Sequence, residues 1–98
     1  MQSATRNRLR KLAHSRKPVV MIGKNGLNEQ VSDAIDKALE DHELIKVKFQ
    51  DYKDVKQEIA SQLEERLQAE TVSIIGNILT LFRQNRDPEK RKVAIDID

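Results

Sequence analysis

Val19-Val20-Met21-Ile22-Gly23-Lys24-Asn25-Gly26-Leu27-Asn28 is the stretch that orders the rest of the chain. Four consecutive apolar residues, a Gly-x-x-Gly segment and a capping asparagine predict a strand, a tight loop and a helix start. The unbroken apolar run fits a strand buried on both faces better than a half-exposed one. Gly23 and Gly26 can adopt φ above zero and let a ligand approach the backbone with no Cβ in the way. Lys24 adds a full charge, and Asn25 can donate or accept a hydrogen bond. Backbone N–H groups and a lysine at a helix start suit an anion. The same four residues also read as an ordinary strand-to-helix turn that needs glycine for geometry alone.

Working outward, Asn28 is a good N-cap, and Glu29 sits in the first helical turn, where negative charge is favoured. Val31, Ala34, Ile35, Ala38 and Leu39 then form one apolar stripe. Leu44 to Phe49 alternates, with Ile45, Val47 and Phe49 on one face and Lys46 and Lys48 on the other, a half-buried strand. A third helix is predicted over Val55 to Leu67. Thr71–Ile75 and Ile78–Phe82 read as strands joined through Gly76-Asn77, the pattern of a type II′ hairpin. Upstream, Thr5 to His14 can form a helix with Leu9, Leu12 and Ala13 as a short stripe, and Pro18 stops it. The order is α-β-α-β-α-β-β. It predicts a mixed four-stranded sheet with packed helices, on the α+β and α/β border, with right-handed crossovers and a terminal antiparallel hairpin. Residues 1–4 are expected to be a flexible end and 5–83 the folded domain. Residues 84–98 are expected to be a mobile charged tail, with a short edge strand over Val93 to Ile97 as the alternative.

The chain has 98 residues and no cysteine, which bounds it to one domain without a disulfide framework or Cys-based metal site. No apolar run approaches membrane-spanning length and no apolar signal core opens the sequence, so a cytoplasmic monomer without membrane contact is expected. The net charge of +2 hides a pattern. Residues 1–28 carry seven basic groups and no acid, whereas residues 29–70 carry twelve acids against six bases. Such polarity points to one face for a polyanion and another that repels it. A solvated basic helix with no partner gives the same pattern.

Four blocks resemble the CRM domain (chloroplast RNA splicing and ribosome maturation), and in particular its stand-alone bacterial form, the YhbY type. They are Leu12-Ala13-His14, Lys17 to Leu27, His42 to Lys48, and Val72 to Arg83, in the family's order over most of the chain. The family often has Tyr where Phe82 stands, and Arg or Lys where Asn77 stands. The resemblance implies an RNA-binding fold similar to the C-terminal domain of bacterial translation initiation factor three. For a lone domain it implies association with precursors of the large ribosomal subunit and their 23S RNA. It also supports Arg83 as an RNA-contacting residue.

The candidate RNA-binding residues are therefore the loop (Gly23, Lys24, Asn25, Gly26), the basic helix and its exit (Arg6, Arg8, Arg10, Lys11, Arg16, Lys17), the strand lysines Lys46 and Lys48, and Arg83. On the residues alone, Lys46 and Lys48 read equally well as a solvated strand face. KH topology is not supported, because a strand precedes the loop, and no Gly-x-x-x-x-Gly-Lys-Ser/Thr is present. The aromatic residues are Phe49, Tyr52 and Phe82, two of them in core positions. That scarcity predicts recognition of RNA shape and backbone rather than bases. No cofactor is expected. Catalysis has little support: His14 and His42 fall in structural blocks, and Asp41-His42-Glu43 reads as a polar turn rather than a metal site. The alternative to RNA binding is a protein-interaction module that docks a basic partner on the acidic helices.

Overall fold

In a computed structural model, which describes residues 1–95, the elements follow the predicted order. They are α1 (Ser3–Ala13), β1 (Pro18–Ile22), α2 (Glu29–His42), β2 (Leu44–Phe49), α3 (Lys56–Leu67), β3 (Glu70–Ile75) and β4 (Ile78–Phe82), with short 3-10 turns at Lys53–Val55 and Pro88–Lys90. The strands form one sheet in the order β1-β2-β4-β3. β1 runs parallel to β2, and β4 is antiparallel to both its neighbours. The β3–β4 turn has Gly76 at φ +57° while Asn77 stays at negative φ, as a type II′ link requires.

The sheet has two unlike faces. Ile22, Ile45, Val47, Phe49, Leu79 and Leu81 pack on one face against α2 and α3, through Ile35, Leu39, Ile59 and Leu63. On the other face Leu44, Val72 and Phe82 are covered by Leu9 and Ala13 of α1 together with Val93. This second cluster occupies only one end of its face. A fully buried Leu contributes about 1.5–3 kcal/mol, so α1, anchored by Leu9 and a single alanine, depends on Val93 to complete its contact. Leu12 points outward at 40 % exposure, which corrects the expected stripe.

Three further expectations are corrected. β1 is not buried on both faces: it lies at the sheet edge, with Val19 53 % and Met21 55 % exposed. Residues 3 and 4 already belong to α1, and the Met1 side chain packs against the second cluster. The stretch after Arg83 is docked rather than loose through Val93. Glu43, fully buried, accepts backbone N–H groups from Asn85 (2.6 Å), Lys92 (2.5 Å) and Val93 (2.8 Å). No strand forms over Val93–Ile95, and the end of the proposed edge strand lies outside the described residues.

Burial raises the Glu43 pKa, but the three N–H donors and the nearby Arg91 outweigh it and hold the carboxyl below its ordinary value. Its backbone is also unusual for a side-chain-bearing residue, at φ +64° and ψ −44° just past the end of α2. Such a conformation persists only where surrounding contacts impose it.

Candidate nucleic-acid interface

The loop is built first by a single turn. The Gly26 N–H donates to the Gly23 carbonyl at 2.9 Å, which places Lys24 and Asn25 at the two corners, both exposed. Asn28 accepts the Val31 N–H at 2.9 Å and starts α2 as expected. Only Gly26 uses the left-handed region, at φ +68°. Gly23 does not, and a Cβ there would meet nothing nearer than Gln50 Oε1 at 3.9 Å. Neither backbone geometry nor packing demands glycine at position 23.

Tyr52 braces the loop from the far end of β2. Its hydroxyl donates to the Lys24 carbonyl at 3.2 Å, and its ring lies against Gly26. A Cβ on Gly26 would stand 3.1 Å from the ring carbon Cζ. Gly26→Ala combines that contact with about 1–2 kcal/mol of left-handed strain. It is expected to lower the melting temperature by roughly 4–16 °C, read by calorimetry, whereas Gly23→Ala leaves it within experimental scatter. Tyr52 is not among the candidate residues named from the sequence. Its distance of 26 residues from the loop hides it, although an exposed aromatic just past a strand end was a signal.

The basic residues separate into groups. α1 and the loop do not lie side by side. Arg16 and Lys17 precede β1 and the loop follows it, so about 17 Å of strand lies between them. The surface that joins them is the open part of the sheet face carrying Lys46 and Lys48. Paired strand residues share a face, so Met21, Lys48, Ile78 and Ile75 form one row across all four strands. Pro18, Lys46, Thr80 and Ser73 form the next row, at the edge of α1. Arg10, Lys11 and His14 of α1 overhang this row and close a groove of about 540 Å³ floored by Ile75, Ile78 and Thr80. Lys46 Nζ reaches the His14 carbonyl at 3.4 Å.

Other candidates are differently placed. Arg16 donates to the Leu44 carbonyl at 2.7 Å and is partly committed to holding α1 on the sheet. Arg8 lies beside Arg91 and Lys92 of the docked tail, away from the groove. Arg6 is half-buried on α1. Arg83 departs from the expectation that groups it with these cations. Phe82 faces α1, so strand alternation turns Arg83 to the opposite face. There its guanidinium donates to Asp36 Oδ1 at 2.7 Å, to the Leu67 carbonyl at 3.0 Å and to the Asp36 carbonyl at 3.0 Å. It works as a clasp between α2, α3 and the sheet, set apart from the basic surface.

The acids occupy the other side. Asp33, Asp36, Glu40 and Asp41 on α2 and Glu58 and Glu65 on α3 are exposed on the helical layer. The sheet thus separates an acidic helical side from a face holding Lys46 and Lys48. Asp41-His42-Glu43 does not converge on a metal, because the Glu43 carboxylate turns inward to backbone donors. No helix among the described residues is long and apolar enough to cross a membrane.

Comparison with known proteins gives a consistent picture. The family model of the CRS1 / YhbY (CRM) domain matches residues 1–83. An RNA-binding protein of Haemophilus influenzae is 44 % identical over 80 residues, covering 81 % of each chain. A probable RNA-binding protein of Pseudomonas aeruginosa is 33 % identical over 86 residues, covering 87 % of this chain and 83 % of its own. A Methanocaldococcus jannaschii protein of the same description is 44 % identical over 79 residues, and there the match spans 58 % of the relative. The solution structure of a Staphylococcus aureus protein superposes with a TM-score of 0.78 at 35 % identity, covering 95 % of this chain and 98 % of that one. With the fold, the loop and the family model in agreement over residues 1–83, the chain belongs to the CRS1/YhbY (CRM) domain family.

Proposed function

We propose that this protein binds RNA along the surface that runs from α1 across the open sheet face to the Gly23–Gly26 loop. The observation that carries the reading is the sidedness of charge. Lys46, Lys48, Arg10 and Lys11 lie on one side of the sheet, while the exposed acids of α2 and α3 lie behind it. A polyanion meets attraction on one side and repulsion on the other, which fixes its orientation before any close contact. The loop supplies a second element, an exposed lysine beside a glycine whose missing side chain leaves the backbone open. Relatives that bear the name RNA-binding protein support the same reading.

The RNA we infer is that of large-subunit precursor particles, as the resemblance to the YhbY type implies. Sedimentation of a cell extract at low salt tests this. The protein is expected to travel with precursor large-subunit particles and to leave them as salt is raised, because affinity falls by about 0.7 log unit per log unit of salt for each single-strand phosphate contact. A folded, abundant protein that stays at the top of a low-salt gradient contradicts the ribosomal assignment. Gly23→Ala supplies a finer check on the loop: RNA affinity falls while thermal stability does not.

A further inference from the structure

We propose that the groove between α1 and the open sheet face holds an unpaired RNA base, so that this domain reads single-stranded nucleotides and does not merely follow phosphates. The proposal rests on the RNA reading above and deepens it.

The starting observation is exposed apolar surface. Met21 is 55 % and Ile75 65 % exposed, at opposite ends of the cross-strand row Met21–Lys48–Ile78–Ile75. Ile75 and Ile78 are paired neighbours on β3 and β4, and adjoining aliphatic side chains on a polar-rimmed face mark an interaction site. A surface for phosphates alone has no use for them, since phosphate contacts come from cations and polar groups. The groove beside this row has a volume of about 540 Å³, within the roughly 300–1,000 Å³ typical of sites for small organic groups. Its floor combines Ile75 and Ile78 with the hydroxyl-bearing Ser73 and Thr80, and its wall carries Arg10 and His14. Aliphatic side chains cover the flat face of a base. Hydroxyls can meet its edge, and a guanidinium or imidazole can stack on its open side.

Position and charge select RNA over a protein segment as the occupant. The groove lies on the same face as Lys46 and Lys48, beside the basic helix and on the β4–β3 half of the sheet, so phosphates flanking a bound base meet Arg10, Lys11 and Lys46. The residues closing it include Arg10, Lys11, His14 and Lys46 and no acid. Phe49 and Phe82 are core residues and Tyr52 lies against Gly26, so no aromatic lines the groove. A base in the groove therefore rests on Ile75 and Ile78, and the contribution lies at the lower end of that measured for aromatic stacking.

The test uses a short oligouridylate and an oligomer of equal length whose central positions are abasic, followed by fluorescence anisotropy over a range of salt. The two probes carry the same phosphates. The wild-type protein is expected to bind the base-bearing oligomer about fivefold to tenfold more tightly, with equal salt dependence for both. Ile75→Thr, which keeps a β-branched strand residue at an exposed position, brings the ratio toward one. Ile75→Trp raises it. Lys24→Ala weakens both probes alike and leaves the ratio unchanged. Equal wild-type affinity for the two oligomers, with salt-dependent binding intact, overturns the base groove and leaves the RNA reading standing. Binding to neither oligomer but to folded ribosomal RNA does the same, and no binding to any RNA overturns both. Ile75 variants that release an acidic amphipathic peptide while their RNA binding is unchanged assign the face to a protein and also overturn the proposal.

Discussion

Replacing Glu43 with alanine is expected to cost about 3 kcal/mol of stability and to lower the melting temperature by roughly 12–24 °C. The carboxylate is fully buried and accepts three backbone N–H groups from the segment after β4. Each buried donor left without a partner costs about 1–3 kcal/mol. If residues 84–95 instead leave the surface to reach water, Val93 leaves the cluster that holds Leu9, and α1 loses part of its anchor. Limited proteolysis then cuts near Asp87 while α2 and the sheet stay intact. Glu43→Gly is the informative comparison. It removes the same acceptor but relieves the backbone at φ +64°, a strain of about 1–3 kcal/mol. It is therefore expected to be less destabilising than alanine, although glycine is the more flexible residue. A glycine variant equal to or worse than alanine shows that the backbone there is unstrained.

The same carboxylate gives stability a pH dependence with a defined sign. Its folded pKa is held below the ordinary glutamate value of 4.5. Between the two values the unfolded chain binds a proton that the folded chain does not, so stability rises with pH across that window. The contribution is complete above the ordinary value and is lost as pH falls through the lowered one. Glu43→Gln flattens this acid limb in urea melts taken at successive pH values, because an amide has no proton to gain there.

Much of the architecture was legible because it is written in local periodicity. The stripe of α2, the alternation of β2 and the Gly76-Asn77 link each report on neighbours a few residues away. The failures share a different origin. Val19-Val20-Met21-Ile22 looks the same whether two layers bury it or it lies at an edge with one face open, so periodicity could not separate a core strand from part of an interface. The family block groups Arg83 with the basic surface, whereas alternation from Leu79 and Leu81 puts it on the helical side, where it bonds Asp36 and Leu67. Glu43 and Tyr52 act on partners between 26 and 50 residues away, and nothing local announces such a bond. At Glu43 the one local cue was a charged residue in a position after a helix where glycine is usual. The loop itself was readable, but which of its glycines is conformational and which is open was not. That distinction needs φ and the position of the Tyr52 ring.

Lys24→Glu is expected to weaken RNA binding by more than about tenfold near physiological salt, and the size follows from two effects acting together. The first is the loss of one counterion-releasing contact, worth about 0.7 in the slope of log affinity against log salt. The second is the placement of a like charge beside phosphate. At a few ångströms and an effective surface dielectric near 20, that repulsion is a few kcal/mol before screening. Screening over about 8 Å at physiological ionic strength reduces it without removing it. Lys24 is exposed at the corner of a turn, and its own carbonyl is the group bonded to Tyr52, so the side chain carries none of the loop's internal bonds. Thermal stability is therefore expected to stay within about 0.5 kcal/mol of wild type. Lys37→Glu is the matched control. Lys37 is equally a surface lysine, but it lies on α2, 3.5 Å from Asp41 on the acidic side. Reversing its charge changes net charge by the same amount and is expected to change RNA affinity less than twofold, since a long-range effect of net charge alone is screened. Equal losses for the two variants show that bulk charge governs binding. Loss at Lys24 alone, with a smaller salt slope, locates a phosphate at the Gly23–Gly26 turn.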